Sequence, residues 1–432
     1  MLSQNTSSSD SSQTQTPIYD VLISGMGPAG LTAAIELINS GKSVVIITNR
    51  SQQFLRVQGI SLSEEKRKYL ADMISTIDKS IMTENDKKFL ISLNQDITIS
   101  LKEIEKFLYR QLLRHQTEGK SISLIFESEL KQIDLKKGEA TFGRIHADGQ
   151  STNHDLKSLF FTHLICADGK NRHALSLVEK NTGKLINFTP DPNSSAHHVY
   201  HANVYVCAKR KDNKPFILPK LDFNSVVQEG LLSFTSLNRR HLRKHENEGT
   251  TTIKFIYATE VPLYFRDNSN EIERKKYILE KAKETIVAML PPENGDIEIS
   301  VAAPSKKYGL AKDKLKLTFF ESHLEEADQV IIQDLNLWNA TVILSGDNCR
   351  TSNYQLGHGV LDAFSHAVSI GKLLNKEIDP DNYTGMVKAL NQKNSMRSQL
   401  FDAKKDVAAQ ALNEKAERVA KSFPSMLKQS SS

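Results

Sequence analysis

The sequence predicts an α/β fold: a Rossmann-like domain, interrupted by an inserted, mostly antiparallel β-sheet domain and followed by a helical C-terminal extension. Three observations predict it. Asp20–Leu37 reads as a short apolar strand, the turn Gly25-Met26-Gly27-Pro28-Ala29-Gly30 and a helix. Two further buried-strand patterns, Leu164–Cys166 and Ala340–Leu344, run into the acidic turns Ala167-Asp168-Gly169 and Ser345-Gly346-Asp347. Between those two strands the pattern changes to β-type segments separated by turn residues.

The first of these elements carries the most chemistry. Gly-x-Gly-x-x-Gly between a strand and a helix is the dinucleotide fingerprint. Gly25 permits the tight turn, Gly27 lets the backbone approach a pyrophosphate, and Gly30 lets the helix pack close to the strand. Pro28 and Ala29 open the helix, whose N-terminus offers N–H groups and partial positive charge to phosphates. The second strand, Ser43–Ile47, stands where a βαβ unit needs one. These residues point to a bound dinucleotide; the plainer alternative is a tight turn with no ligand.

The loop Phe54–Gly59 and a polar helical region rich in Lys and Glu follow. Ile97–Ser100 alternates like a strand, and Ile104, Leu108, Leu112 and Leu113 predict a helix over Lys102–His115 with one buried face. Leu124–Phe126 reads as a strand, and Asp148-Gly149, flanked by Phe142–Ile145 and Asn153–Leu156, signals a hairpin. Val199–Cys207, Leu231–Thr235, Thr251–Ala258 and Ile297–Val301 are the strands of the inserted sheet. One helix, Glu271–Leu290, interrupts them, placing Leu279, Ala282, Ile286 and Met289 on one face before Pro291-Pro292 ends it. The last fifty residues are helical text in which Met396, Leu400, Ala403, Val407 and Leu412 supply the apolar positions. A brace on the first domain is the simplest reading of that helix, and a partner-binding arm is the alternative. The expected division is a disordered leader at 1–16, a discontinuous first domain at 17–180 and 335–390, an inserted domain at 181–334 and a C-terminal extension at 391–432.

Composition removes several function classes. A net charge of +5 over 432 residues is too small to point to nucleic acid, and no apolar run reaches the length of a membrane span. Cys166, Cys207 and Cys349 lie far apart and read as free thiols in a reducing compartment. Cys166 and Cys349 read as buried small hydrophobes. The leader lacks the basic and apolar regions of a secretory signal, so the expected setting is cytoplasmic, or a host cytosol reached by a non-classical route. The thirteen histidines show no metal-ligand spacing, His197, His198 and His201 coming nearest, and no metal site is expected.

The order of the three glycine–aspartate motifs resembles that of the FAD-dependent monooxygenases of the p-hydroxybenzoate hydroxylase fold, with the MICAL-type branch as the nearest likeness. The resemblance covers about residues 17–390, strong at the motifs and weak between them. It implies a FAD-binding first domain and a substrate-binding inserted domain. It assigns Gly25, Gly27, Pro28, Ala29 and Gly30 to the FAD pyrophosphate, Asp168 and Gly169 to the support of that region, and Gly346-Asp347 to the ribityl chain. Gly357, His358, Gly359 and Val360 match the turn over the pyrimidine edge of the flavin, where His358 either faces the ring or is solvated. Arg56 resembles the arginine of the loop after the second strand. Thr48, with Asn49 and Arg50 after it, stands where the family has a glutamate for the adenosine ribose, and a neutral hydroxyl is a weaker acceptor than a carboxylate. Asn353–Leu356 replaces the usual proline before the flavin turn, and Leu361 replaces a common asparagine.

The activity implied is that of a monooxygenase in which NAD(P)H transiently reduces FAD and O₂ adds at C4a. The resulting hydroperoxide then hydroxylates or sulfoxidises a small molecule or a protein side chain. The cofactor carries that chemistry, so no catalytic residue is assigned. A reductase or dehydrogenase of the same fold, and a non-catalytic interaction protein on a degenerate flavoprotein scaffold, stay open as alternatives. The basic run Arg239–His245 is either a solvated helix face or a receiver for an acidic partner or the NADPH phosphate.

Overall fold

A computed structural model describes residues 16–54, 59–95, 98–145, 156–191, 199–217, 251–261, 265, 271–289, 292–301, 318–322, 324–334, 337–351 and 358–400. The leader up to residue 15, the Asp148-Gly149 turn, Leu231–Thr235, the basic run Arg239–His245, His197, His198 and all positions after 400 lie outside the described residues.

β1 (Ile18–Ser24) feeds α1 (Pro28–Asn39), which returns to β2 (Val44–Ile47). β3 (Gly59–Ser61), α2 (Glu64–Ser75), α3 (Glu84–Gln95), β4 (Thr98–Ser100) and α4 (Leu101–Thr117) lead to β5 (Ile122–Ile125). β6 (Ser128–Asp134) and β7 (Glu139–Arg144) form a hairpin before β8 (Lys157–Cys166) and α5 (His173–Thr182). Next come β9 (Phe188–Pro190), β10 (Val199–Arg210), β11 (Thr252–Glu260), α6 (Glu271–Met289), β12 (Ile297–Val301) and β13 (Thr318–Ser322). β14 (Glu325–Ala327), β15 (Ile331–Ile332), β16 (Thr341–Leu344), β17 (Arg350–Thr351) and α7 (His358–Leu374) follow, then α8, residues 380–400.

The main sheet runs β15-β16-β8-β1-β2-β5, with β16, β8, β1, β2 and β5 mutually parallel and β15 antiparallel at the edge. Parallel strands covered on both faces need continuous apolar runs, and Val21–Ile23, Val44–Ile47, Leu164–Cys166 and Val342–Leu344 are all buried. α1 carries Gly30 where it meets the strand and packs against α4 and α7, so it is buried nearly all round. A capping box of Ser100 and Glu103 starts α4, which buries Ile104, Phe107, Leu108 and Leu112. Leu113, expected on that face, is 36% exposed, and Gln111 is buried instead.

The second sheet is antiparallel, β11-β10-β12 with β13 beside the first half of β10. Ala202, Val204, Val206 and Ala208 form its buried face, and α6 packs on β10 and β12. Ile278 and Ala282 are the buried positions described on α6, whereas Leu279 is only half-buried. A small sheet, β17-β14-β9, follows the order β17, β14, β9.

α8 corrects the expectation for the C-terminal helix. Its buried stripe is Tyr383, Val387, Asn391, Asn394, Ser395 and Ser398, while Met396 and Leu400 are 52% and 63% exposed. The helix braces the body with its polar face: Ser395 Oγ donates to Asp191 Oδ1 at 2.6 Å and Asn394 Nδ2 to Asp362 Oδ1 at 2.5 Å. Asp191 in turn pairs with Arg350 at 2.8 Å, both side chains at most 5% exposed. Buried carboxylates require hydrogen-bond donors, and this places Asn394 and Ser395 inward in preference to Met396 and Leu400.

Candidate functional site

The site is built by register. Ser24 on β1 and Leu344 on β16 both lie opposite Cys166 on β8, so the three strands stop at one level. At a strand spacing of about 4.8 Å, the three turns that follow lie side by side. Backbone bonds continue the alignment past the strand ends: Gly25 N to Ile47 O at 2.8 Å, Ala167 N to Ser24 O at 2.8 Å, and Ser345 N to Cys166 O at 3.0 Å. The crevice outside the carboxyl ends of a parallel sheet is where α/β folds bind ligands.

Each fingerprint glycine has a different reason to lack a side chain. Gly25 has φ +106°, and a Cβ there would stand 2.4 Å from the Ala167 carbonyl oxygen. A Cβ on Gly30 would stand 2.0 Å from the Gly25 carbonyl oxygen. Gly27 differs: its φ of −86° and ψ of −176° suit any residue, and a Cβ would meet nothing within 4 Å. The space beside Gly27 is open, at the start of a helix with Pro28 in its first turn and no side-chain cap. The residues present therefore fit a pyrophosphate: free space beside the buried Gly27, an uncapped helix start and close-packed turns on either side.

The second and third motifs interlock. Asp168 Oδ2 accepts the Ala174 N–H at 2.8 Å, and Oδ1 accepts Asn348 Nδ2 at 2.8 Å. Asn348 Nδ2 also reaches the Gly169 carbonyl at 3.3 Å. Both oxygens of Asp168 are thus engaged inside the protein, holding α5 and the third turn. Gly346 adopts φ +61° and approaches α1 closely, since its Cβ would lie 3.0 Å from that of Ala29. A Cβ on Gly359 would lie 3.3 Å from Asp347 Oδ1, which brings the start of α7 to the same turn. Within 345–350 only Asp347 is not buried. Cys166 and Cys349 are fully buried, and burial pushes both thiols well up.

Thr48 is 3% exposed, and its hydroxyl accepts the Arg50 N–H at 3.3 Å within its own turn. Its backbone is pinned to Ile125 and Ser128. Arg50 pairs at 3.2 Å with Glu105 of α4, a buried carboxylate, and Asn49 is exposed. Pro28 and Ala29 are buried in the first turn of α1, and Val360 is half-buried near the start of α7. Arg56 and Gly357 lie outside the described residues, as does the side chain of His358.

Two residues missed in the sequence complete the third turn. Asn348 ties it to Asp168, and His366, on α7, accepts the Gly346 N–H through Nδ1 at 3.3 Å. Burial, then Arg350 and Lys66, push the His366 imidazole down to about 4, so it is neutral. A histidine within the apolar run Ala363, Phe364, Ala367 and Ile370 was the available signal. Among the described residues no group of three His, Cys, Asp or Glu is placed to hold a metal, and no helix is long and apolar enough to cross a membrane.

A family model described as FAD binding domain matches residues 20–58. No curated protein matches the chain. Among solved structures, the chain is similar to the flavin-dependent brominase Bmp2, at 12% identity and TM-score 0.54, over 93% of this chain and 92% of that one. It is similar to a flavoprotein/dehydrogenase from Cytophaga hutchinsonii at 13% identity and TM-score 0.52, over 90% and 86% of the two chains. It matches the tetracycline destructase Tet(51) at 13% identity and TM-score 0.50, over 93% and 94%. The chain spans 65% of the length of an aklavinone-11 hydroxylase that it also matches, at 15% identity, TM-score 0.46 and 84% coverage of this chain. The likenesses to the brominase, the flavoprotein/dehydrogenase and the destructase show a shared fold.

Proposed function

We propose that the chain is a FAD-dependent monooxygenase, using NAD(P)H and O₂ to oxygenate a small molecule or a protein side chain. One observation carries the reading: three turns from distant parts of the sequence meet at one sheet edge around the open face of Gly27. The FAD-binding match over 20–58 and the shared fold support it.

FAD, when bound, supplies the electron and oxygen chemistry. The protein's part is to bind and orient. The backbone at Gly27 and the start of α1 would hold the pyrophosphate, with Gly25 and Gly30 keeping the turn tight. Asp347 offers a carboxylate to the ribityl hydroxyls, as a strong acceptor for diol donors. Asp168 holds the third turn and, with Gly169, would support the pyrophosphate region, and the resemblance assigns Gly357, His358, Gly359 and Val360 to the flavin edge. Arg50, on the loop after β2, would serve the adenosine half, and the resemblance assigns Arg56 to the flavin and phosphate region. The inserted sheet lines the substrate side.

The test is an absorption spectrum of the purified chain, before and after incubation with FAD, followed by NAD(P)H and O₂ consumption with candidate substrates. Bound flavin and a stoichiometric oxygenated product support the reading. Flavin reduction without oxygenated product assigns a reductase or dehydrogenase. A colourless chain that takes up no FAD assigns the second reading, a non-catalytic scaffold. That reading is favoured by Thr48, whose hydroxyl is turned into its own turn where a ribose acceptor would serve.

A further inference from the structure

The segment 345–350 presents one residue, Asp347, from a turn whose neighbours are buried on both sides. Asn348 anchors one side through Asp168 and Gly169. The other side is Gly346, whose N–H points into the protein and meets the imidazole of His366 at 3.3 Å. His366 is 2% exposed, and its Nε2 has no hydrogen-bond partner among the described residues. Because Nδ1 accepts, the ring proton sits on Nε2, a buried donor with no partner among the described residues. Burying such a donor is unfavourable, and leucine would fill the position without that cost. A histidine here is therefore explained by what its other nitrogen does.

We propose that His366 is a positioning residue for the cofactor turn: Nδ1 holds the Gly346 N–H from behind and so sets where the Asp347 carboxylate is presented. The idea rests on the reading that FAD binds at this edge, and it names a residue of the grip that never touches the cofactor. Two features fix the imidazole itself. α7 packs along α1, which holds the backbone of His366, and Arg350 and Lys66 stand near enough to disfavour its protonated form. Cationic His366 would carry a hydrogen on Nδ1, and the bond to Gly346 would be lost. On the same helix, Asp362 is engaged by Asn394. Arg350 is held by Asp191.

Two nearly isosteric substitutions separate positioning from packing. Asparagine places an amide oxygen close to the Nδ1 position, whereas glutamine places its amide at the Nε2 position. Full-length wild type, His366→Asn, His366→Gln and His366→Leu are titrated with FAD by quenching of flavin fluorescence at neutral pH, and apo melting temperatures are recorded alongside. Expected is FAD affinity within about twofold of wild type for His366→Asn, and about five- to tenfold weaker for His366→Gln and His366→Leu. Apo melting temperatures should not follow that order. Should the leucine variant fail to fold, the Asn–Gln pair decides alone. Equal affinity in all four proteins, or equal loss in the Asn and Gln variants, overturns the proposal. A wild type that binds no FAD instead overturns the cofactor reading on which it rests.

Discussion

Gly27 and Gly30 are three residues apart in one motif, yet the structure assigns them opposite responses to the same added methyl group. On Gly30 the Cβ would stand 2.0 Å from the Gly25 carbonyl oxygen, against an ordinary carbon–oxygen contact of about 3.3 Å, so α1 and β1 must separate by more than about 1 Å. Overpacking of a close-packed layer of this kind costs about 3 kcal/mol. That corresponds to a fall in melting temperature of about 6–12 °C for a domain of roughly 200 residues. On Gly27 the Cβ meets nothing within 4 Å and the backbone angles are open to alanine. Gly27→Ala should therefore leave the apo fold intact, the gain through the unfolded chain being offset because alanine is a poorer N-cap than glycine. Its methyl group would occupy the space proposed for the pyrophosphate, and FAD affinity should fall about a hundredfold, about 2.7 kcal/mol. Apo thermal melts and FAD titration of the two variants check this. The reasoning is refuted if Gly27→Ala binds FAD like wild type, or if Gly30→Ala melts where wild type does.

Three further outcomes are expected. His366 titrates at about 4 in the fold against 6.5 in the unfolded chain, so the unfolded state binds more protons between those values. Its contribution is complete above about pH 6.5 and is lost as the pH falls toward 4, up to about 3 kcal/mol. Denaturant midpoints at pH 7 and 4.5 should thus differ less in His366→Asn than in wild type. Removing Asp191 strands the buried Arg350 guanidinium and releases Ser395, so Asp191→Ala should cost about 3–5 kcal/mol and expose α8 to limited proteolysis. An unchanged cleavage pattern would show that the polar seam does not hold the helix. Finally, Cys207 is half-buried while Cys166 and Cys349 are fully buried with thiols pushed up, so maleimide should label Cys207 first in the native protein. Peptide mapping that finds all three labelled at one rate would contradict the burial of the other two.

The main sheet was legible because a parallel strand covered on both faces leaves a run of apolar letters that few other structures require. Val21–Ile23, Val44–Ile47, Leu164–Cys166 and Val342–Leu344 all carried it, and the turns beyond were marked by Gly25, Gly169 and Gly346, each at positive φ. Convergence of those turns was less legible. It depends on register between strands more than a hundred residues apart, Ser24 opposite Cys166 and Cys166 opposite Leu344. The sequence also hid how the turns are held. Asn348 reads as one more polar residue in a loop until Asp168, 180 positions earlier, is seen to accept its amide.

α8 shows why apolar periodicity misled at the end of the chain. Met396 and Leu400 recur at helical spacing, and the ordinary rule turns such a face inward. The rule assumes that the surface receiving the helix is apolar. Here the receiving surface carries Asp191, Arg350 and Asp362, and a buried carboxylate left without donors costs more than two methionine- or leucine-sized side chains gain by burial. Asn394 and Ser395 therefore face in beside Tyr383 and Val387, while Met396 and Leu400 face out. Arg350 follows the third turn directly and acts electrostatically on His366, so the polar surface that receives Asn394 and Ser395 begins at the same turn that presents Asp347. A carboxylate can be presented at a sheet edge with little freedom only if the turn behind it is hydrogen-bonded, and those bonds in turn decide which face of the last helix the protein accepts.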